Sequence, residues 1–302
     1  MQTNKRRTWK PALTALLSAL MLAGISSVTK LPAHAAPSDC PELYVLAVPG
    51  TWADGENPGL LSAVTSGLGP ETTVQFVGYD ATAFPWEKAI YGRSKAQAVA
   101  NTTGLAVSML RRCPGTKIAL TGYSQGADAA GDVASEIGTG RAAIAPTQVA
   151  GVVLLSDPRR SRHDNVVGPA LTGEGSGGPR LDGMGWLLPR SFSLCAPEDL
   201  YCNVPQGYYV TRIAGYLAET SDPTPSQIGQ YQSEAEAIFN NMITDGDPAA
   251  VVREVGDARV REEINLFKQF LQSGAHANYA TFQVDTDLTA VDWAHTYLAA
   301  LA

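Results

Sequence analysis

The amino-acid sequence predicts an α/β fold, in which a central, mostly parallel sheet of five strands carries helices on both faces. Five short runs of apolar and β-branched residues recur along the chain, and they lack the alternation of a half-exposed strand. Helical patterns lie between these runs, and alternating strands and helices build a parallel sheet through right-handed crossovers. With 302 residues, 45% of them hydrophobic and 17% charged, the chain has the length of one large globular domain or two small ones.

The predicted elements follow one another as an α/β fold requires. The helical patterns are clearest over residues 94–113 and 124–137. A Gly-, Pro- and Arg-rich stretch over 159–188 predicts a long loop. Residues 206–273 carry helical periodicity and no convincing strand, which predicts a helical insertion that either fills out the fold or covers a pocket as a lid. The predicted strands are residues 44–48, 73–79, 117–123, 150–156 and 190–194.

The N-terminal segment, residues 1–36, has the composition of a secretory signal peptide. Basic residues precede an apolar stretch over 11–28, and Ala33 and Ala35 then supply the small residues of a cleavage site. The alternative is an uncleaved anchor, because the apolar stretch is nearly long enough to span a bilayer. Both interpretations place residues 37–302 outside the cytoplasm as the functional domain.

The exported part of the chain is acidic. Residues 1–36 hold five of the 22 basic residues and none of the 29 acidic ones, which leaves 17 basic and 29 acidic residues and a formal net charge of −12. Such a charge repels nucleic acid and anionic lipid headgroups. We therefore expect no nucleic-acid partner, and any peripheral contact with envelope lipid would be apolar.

Four cysteines lie outside the signal segment, and an even number in an exported chain predicts two disulfides. Three pairings are possible. Cys195 and Cys202 enclose only six residues and are expected to bridge locally, which leaves Cys40 to pair with Cys113. A zinc site is disfavoured because the sequence has no C-x-x-C pair and the compartment is oxidising.

The stretch LTGYSQGAD, residues 120–128, places Ser124 between two glycines, after a predicted strand and before a predicted helix. In that context G-x-S-x-G forms a tight turn, and Gly122 and Gly126 are needed because a side chain there would collide with the strand or the helix. A serine hydroxyl becomes a nucleophile when a neighbouring base removes its proton. The alternative is a serine that only caps the helix N-terminus.

A nucleophilic serine on such a fold takes its acid and then its base from later in the chain. His276 lies on a loop flanked by Gly and Ala, from which an imidazole can reach the serine, whereas His295 is interpreted as one position of a C-terminal helix. His163 precedes any plausible acid. The short loop between the last two cysteines offers Glu198 and Asp199 as the acid, and chemistry alone does not separate them.

An oxyanion hole needs two hydrogen-bond donors aimed at the point where negative charge develops. One candidate is the backbone N–H of Gln125, directly after Ser124. The other is Thr51, after the first strand, where Gly50 allows close backbone approach and the threonine offers both an N–H and a hydroxyl. The alternative is a plain turn at Pro49 and Gly50.

These motifs together resemble the cutinase family of α/β-hydrolases. They are GT after the first strand, GYSQG, the spacing C-x-x-x-D-x-x-C met by CAPEDLYC, and AHANY. The stretches VPGTW, GDVASEIGTGR and DWAHTYL are similar to the cutinase-like envelope lipases of mycobacteria and their relatives. The resemblance covers residues 40 to 205 and 274 to 300.

The resemblance implies Ser124 as nucleophile, Asp199 as acid and His276 as base, with Thr51 and Gln125 in the oxyanion hole. It also implies the two disulfide pairings given above. The activity that it implies is hydrolysis of ester or thioester bonds in lipids, including phospholipids and glycolipids, without cofactor or metal. We expect a monomer that is secreted or associated with a bacterial cell envelope.

One departure from the family concerns the stretch between Asp199 and His276, which is much longer than in compact cutinases and favours a covered pocket. We hypothesise that the acyl chain lies along Ile238, Phe239 and Met242 of this insertion. Two other functions compete with hydrolysis. One is an acyltransferase that moves envelope lipid acyl groups onto sugars with the same triad. The other is a non-catalytic envelope-binding protein on a hydrolase fold, against which the complete Ser-His-Asp set argues.

Overall fold

A single parallel sheet lies at the centre of the computed structural model, which describes residues 40–205, 207–221 and 258–302. Its strands are β1 (Leu43–Val48), β2 (Thr72–Phe76), β3 (Lys117–Tyr123), β4 (Val149–Leu155), β5 (Asn165–Val167) and β6 (Ser191–Leu194). They lie in the order β2-β1-β3-β4-β6-β5, and all neighbours are parallel. The predicted α/β fold with a mostly parallel sheet is therefore confirmed.

The sheet has six strands, so the predicted number of five was wrong by one. The additional strand is β5, which lies in the stretch 159–188 that was predicted as a loop and pairs with β6 at the edge of the sheet. It has only three residues, all half-buried, and the Gly168–Pro169 turn follows it directly. An edge strand this short has no apolar run that distinguishes it from a loop.

Helices cover both faces of the sheet. Alternate side chains of β1 enter two different hydrophobic clusters, with Leu46 in one and Val45 in the other. Both faces of the central strands are consequently buried, which explains why their sequences are apolar without alternation. In the described residues the α-helices are α1 (Leu60–Thr65), α2 (Tyr91–Arg112), α3 (Gln125–Gly138), α4 (Tyr209–Glu219), α5 (Ala258–Ser273) and α6 (Ala290–Ala299). Residues of α2 and α3 contribute to the first cluster, and residues of α1 and α6 to the second.

Two disulfides fix the ends of these elements. Cys40 is bonded to Cys113, which joins the chain before β1 to the residue that follows α2. Cys195 is bonded to Cys202 and closes the loop that follows β6. Both predicted pairings are confirmed, and the second disulfide constrains the loop that carries Asp199.

The segment 206–273, predicted as a helical insertion, contains α4 and α5 in its described parts. α4 packs against α2 and against α5. The three residues proposed to line the acyl chain, Ile238, Phe239 and Met242, lie outside the described residues, as does the proposed signal peptide. Among the residues that are described, no helix combines the length and the apolar character needed to cross a bilayer.

Candidate active site

Ser124 occupies a strained turn between β3 and α3. Its backbone has φ 56° and ψ −125°, in a region that L-residues seldom adopt. The chain can turn this sharply because both neighbouring glycines lack a side chain. A Cβ on Gly122 would lie 2.3 Å from the carbonyl oxygen of Gly126, and a Cβ on Gly126 would lie 2.0 Å from that of Val48. The turn therefore holds the serine hydroxyl at the carboxyl end of the sheet, beside the N-terminus of α3.

His276 lies on the loop after α5, with one ring nitrogen near Ser124. Its Nε2 is 2.9 Å from Ser124 Oγ, and its Nδ1 is 3.0 Å from Asp199 Oδ2. The imidazole stacks on the ring of Tyr123 and meets the ring of Tyr201 edge-on, with centroid distances of 5.2 and 4.5 Å. The Tyr123 hydroxyl also donates a hydrogen bond to the backbone carbonyl of His276. These contacts hold the ring plane between the hydroxyl and the carboxylate.

Asp199 is fully buried and accepts several hydrogen bonds. Oδ1 accepts from the backbone N–H of Tyr201 at 3.0 Å, while Oδ2 accepts from Ser156 Oγ at 2.6 Å and from the Tyr279 hydroxyl at 2.8 Å. Burial acts to raise the pKa of Asp199, but the hydrogen bond and charge of His276, followed by the Ser156 and Tyr279 hydroxyls, lower this pKa below its usual range. The carboxyl is therefore ionised at neutral pH, and it accepts a hydrogen bond from Nδ1–H of His276.

The structure separates the candidates that the sequence left open. Glu198 is exposed, and the carboxyl that meets His276 is that of Asp199. His295 lies on α6, where its Nδ1 is 3.2 Å from the carbonyl oxygen of Val64. His163 lies before β5, in the stretch predicted as a loop. Ser124, Asp199 and His276 are thus brought together, and the other three residues are not part of this arrangement.

Ser156 is a neighbour of the arrangement that the sequence analysis did not single out. It directly follows β4, and its Oγ lies 3.0 Å from His276 Nδ1 in addition to its hydrogen bond to Asp199. Tyr279, in the stretch AHANY, was likewise not assigned a role. The only sequence signal at Ser156 is a hydroxyl at the carboxyl end of a predicted buried strand, which is the edge where parallel α/β sheets bind ligands.

The two predicted oxyanion-hole residues lie side by side at the same edge. Thr51 Oγ1 is 3.4 Å from Gln125 Oε1, and the Gln125 side-chain amide donates to the carbonyl of Thr82 at 3.0 Å. Within the described chain, neither the Thr51 nor the Gln125 backbone N–H donates to another backbone carbonyl. Both N–H groups are thus left without a backbone partner next to Ser124.

Ser124 and His276 line a cavity of about 750 Å³. Trp52 and Phe84 contribute to its wall from loops at the sheet edge, while α4 and α5 contribute Leu217 and Phe267 among others. Trp52 and Leu217 are also 69% and 62% exposed, so apolar groups continue from the wall to the surface. The described parts of the predicted insertion therefore form one side of the cavity that contains the serine hydroxyl.

Comparison with known proteins agrees with the fold and with this arrangement. The model of the cutinase family matches residues 40–228. The carboxylesterase Culp6 homolog of Corynebacterium glutamicum is 26% identical over 208 residues, which span 56% of this chain and 67% of that protein. Cutinase 4 of Emericella nidulans is 33% identical over 147 residues, which span 47% of this chain and 60% of that protein.

Among solved structures, lysin B from mycobacteriophage D29 has the same fold over most of the chain. The two structures superpose with a TM-score of 0.54 at 18% identity, covering 86% of this chain and 99% of the other. The family model spans more than half of the chain and includes both the serine turn and the acid loop. The chain belongs to the cutinase family and is a carboxylic ester hydrolase.

Proposed function

We propose that this protein is an exported serine esterase that hydrolyses acyl esters of lipids, with Ser124 as nucleophile, His276 as general base and Asp199 as its acidic partner. The observation that carries the proposal is the 2.9 Å contact between Ser124 Oγ and His276 Nε2 at the wall of a largely apolar cavity. A serine, a base and an acid in this mutual geometry form the constellation of a serine hydrolase.

The reaction follows from the position of each proton. Because Nδ1–H of His276 donates a hydrogen bond to Asp199, Nε2 carries a lone pair. It removes the proton of Ser124 Oγ as this oxygen attacks the ester carbonyl carbon. The same nitrogen then gives that proton to the departing alcohol oxygen, which leaves an acyl group on Ser124. Water, deprotonated by Nε2, attacks the acyl carbon and releases the carboxylic acid and free serine.

The negative charge that develops on the carbonyl oxygen needs donors that are already in place. The backbone N–H groups of Thr51 and Gln125 supply them in this proposal, because neither is used within the described backbone network. Gln125 also begins α3, so the positive end of that helix points to the developing oxyanion. The Thr51 hydroxyl donates to Gln125 Oε1 at 3.4 Å, which holds the two residues side by side.

Ser124 is a better candidate for the nucleophile than Ser156, although both hydroxyls are close to His276. Ser124 lines the cavity, where an ester can reach it, while Ser156 is completely buried. Ser156 is also adjacent to Nδ1, the nitrogen that faces Asp199. A substrate carbonyl could reach Ser156 only by displacing the imidazole.

The cavity supports an acyl-lipid substrate. A volume of about 750 Å³ lies within the range of small-molecule sites, and the walls of this one are supplied largely by aromatic and aliphatic side chains. In this proposal α4 and α5 belong to an insertion that covers the acyl chain, and the exposed Trp52 and Leu217 at the opening contact neutral lipid. The two matched relatives carry the names of a carboxylesterase and a cutinase, which supports ester hydrolysis. Export through the N-terminal segment and a monomeric state complete the proposal.

The test is the initial rate of hydrolysis of p-nitrophenyl esters from short to long acyl chains, together with labelling by a fluorophosphonate probe. The exported domain is expected to hydrolyse long-chain esters and to bind one probe molecule per chain. Ser124→Ala is expected to lower kcat by about six orders of magnitude and to abolish labelling. Labelling that persists in Ser124→Ala would overturn the assignment of the nucleophile. Ser124-dependent activity confined to short chains would overturn the assignment of a lipid substrate.

A further inference from the structure

The backbone at Ser156 is in a conformation that glycine adopts more easily. Its φ is 55°, in the left-handed region, where the Cβ of an L-residue is crowded by the neighbouring carbonyl. The residue is anchored on β6, since its N–H donates to the carbonyl of Leu194 at 2.9 Å. A non-glycine residue is kept here despite this strain, and strained residues in enzymes concentrate where their side chains act.

The hydroxyl of Ser156 contacts both partners of the acid–base pair. Its Oγ donates to Asp199 Oδ2 at 2.6 Å and lies 3.0 Å from His276 Nδ1. The shorter contact uses the single hydroxyl proton, so a lone pair of Oγ faces the Nδ1 proton. That proton is consequently shared between two acceptors, Asp199 Oδ2 and Ser156 Oγ, both 3.0 Å from Nδ1.

We propose that Ser156 is a positioning residue, whose hydroxyl fixes the orientation and the tautomer of His276 and orients the Asp199 carboxylate; this inference rests on the proposed function. Ser156 is completely buried and does not touch the cavity where substrate would bind. It acts through the imidazole. With two acceptors at Nδ1, the proton stays on that nitrogen and the Nε2 lone pair stays directed at Ser124.

The contacts of Ser156 with Asp199 and His276 also stabilise the positively charged imidazole of His276 that forms during the reaction. When Nε2 takes the proton of Ser124, the imidazole becomes positively charged, and its Nδ1–H then points to a carboxylate and to a hydroxyl oxygen. Meanwhile the Ser156 and Tyr279 hydroxyls both donate to Asp199 Oδ2 and fix its position. Removal of one hydrogen bond to a charged group costs about a factor of ten in the population of the oriented state.

The experiment uses two substitutions that remove the same hydroxyl but treat the backbone differently. Ser156→Ala keeps the strain at positive φ, whereas Ser156→Gly relieves it. Both variants are expected to lower kcat on a p-nitrophenyl ester about tenfold, with KM within about twofold of the parent value. Ser156→Gly is expected to melt several degrees above Ser156→Ala, because glycine adopts the left-handed conformation without strain.

A matched control is Ser135, another buried serine, which lies in the last turn of α3, at the opposite end of this helix from Ser124. Its Oγ donates to the carbonyl of Gly183 at 2.7 Å. Ser135→Ala is expected to lower the melting temperature while kcat is unchanged. A second readout is the Nδ1 proton of His276 in the ¹H NMR spectrum. Loss of the Ser156 hydroxyl changes the acceptors of this proton, so its resonance is expected to move in both Ser156 variants and to stay in place in Ser135→Ala.

The outcomes separate this inference from the proposed function on which it rests. The positioning role would be overturned if both Ser156 variants had the kcat of the parent protein. It would also be overturned if kcat fell in proportion to the loss of melting temperature, and not equally in the two variants that lack the hydroxyl. Slower but still stoichiometric fluorophosphonate labelling in both variants supports the role, because the probe reacts with Ser124 through the same base. If Ser156→Ala abolishes labelling while Ser124→Ala still labels, Ser156 is the nucleophile and both proposals fail.

Discussion

Asp199 and Glu219 are two buried carboxyl groups near the same cavity, and their pKa values are shifted in opposite directions. Burial alone acts to raise the pKa of each. At Asp199 the hydrogen bonds and the charge of His276 outweigh burial, and the pKa falls below its usual range. At Glu219 burial and the adjacent Asp128 carboxylate outweigh the attraction of Lys95, and the pKa rises well above its usual range.

Glu219 belongs to a buried charge cluster that joins α4 to α2, to α3 and to the loop after β4. In the described chain, its carboxyl groups outnumber its cations by one; they are Asp128, Asp132, Asp157 and Glu219, against Lys95, Arg159 and Arg180. No described residue donates a hydrogen bond to Oε1 of Glu219 or to Oδ1 of Asp128 when both groups are ionised. The raised pKa of Glu219 favours its protonated form, which can donate a hydrogen bond to Asp128.

Asp199 and Glu219 are both deeply buried, so depth of burial does not explain why their pKa values differ. The difference lies in the hydrogen-bond donors and charges that surround each carboxyl group. Asp199 has donors at both oxygens and is kept as an anion that orients a base. Burial and the like charge of Asp128 favour the protonated form of Glu219. Lys95 contacts both carboxyl groups and so links α4 to α3. In the proposed function the first arrangement orients the base, while the second attaches α4, which lines the cavity, to the rest of the fold.

Among the substitutions that compare these two carboxyl groups, the largest effect is expected when the Asp199 anion is removed. Asp199→Asn replaces an acceptor by an amide that can donate to Nδ1, which favours the tautomer with its proton on Nε2 and leaves Ser124 without a base. We expect kcat to fall by about three to four orders of magnitude, measured as the initial rate on a p-nitrophenyl ester. Glu198→Gln is the matched control, since it changes the exposed neighbour, and its rate is expected to stay near that of the parent. An equal loss in both variants would contradict the assignment of Asp199.

The next largest effect is expected at Lys95, a cation of the buried charge cluster that contains Glu219. Lys95 is 2% exposed, and its Nζ contacts Glu219 Oε2, Asp132 Oδ2 at 3.1 Å and Asp128 Oδ1 at 3.6 Å. Lys95→Met keeps the length of the side chain but leaves these carboxyl groups without their shared cation. We expect the free energy of unfolding to fall by about 3–5 kcal/mol, measured by urea denaturation.

The control for this substitution is Lys88→Met, which removes the same charge from an exposed position. It is expected to leave the urea midpoint unchanged. If Lys95→Met and Lys88→Met lose the same stability, the loss is due to the change in net charge. The buried charge cluster around Glu219 would then have no special role in stability.

The sequence predicts the parts of this molecule whose signals are local. The turn at Ser124 could be predicted because the two glycines, the strand and the helix lie within one short stretch, and a Cβ at either glycine meets backbone in the structure. The disulfides could be predicted because four cysteines with one short spacing leave few pairings. β5 was missed because three half-buried residues at an edge have no pattern.

Features that depend on the order of strands could not be predicted. Ser156 reaches Asp199 because β4 and β6 are neighbours in the sheet, although β5 lies between them in the chain. Asp199 and Glu198 have the same chemistry, and only the direction of one turn buries the first and exposes the second. The charges around Glu219 come from separate segments, each of which has the composition of an ordinary solvated surface.

The smallest expected effect concerns the way in which Glu219 makes the stability of the folded protein depend on pH. In Glu219 the folded-state pKa lies above the unfolded value of about 4.3. The folded state therefore binds this proton more tightly, and the stabilisation is complete below the unfolded pKa and is lost as pH rises towards the folded pKa. Asp199 has the opposite sign, since its pKa is lowered on folding and its contribution is lost as pH falls below about 4.

Glu219→Gln tests this sign because the amide is neutral at all pH values and can donate to Asp128 as the protonated carboxyl does. We expect the parent and the variant to have similar melting temperatures near pH 4.5, and the variant to become the more stable as pH rises to 8. The comparison with Glu262→Gln, an exposed position on α5, shows whether any change is specific. A parent protein that gains stability relative to Glu219→Gln with rising pH would mean that Glu219 is ionised and held by Lys95. Asp199 and Glu219 would then both be ionised, each held by a different partner. The contrast between hydrogen-bond donors at Asp199 and a like charge at Glu219 would no longer explain their pKa values.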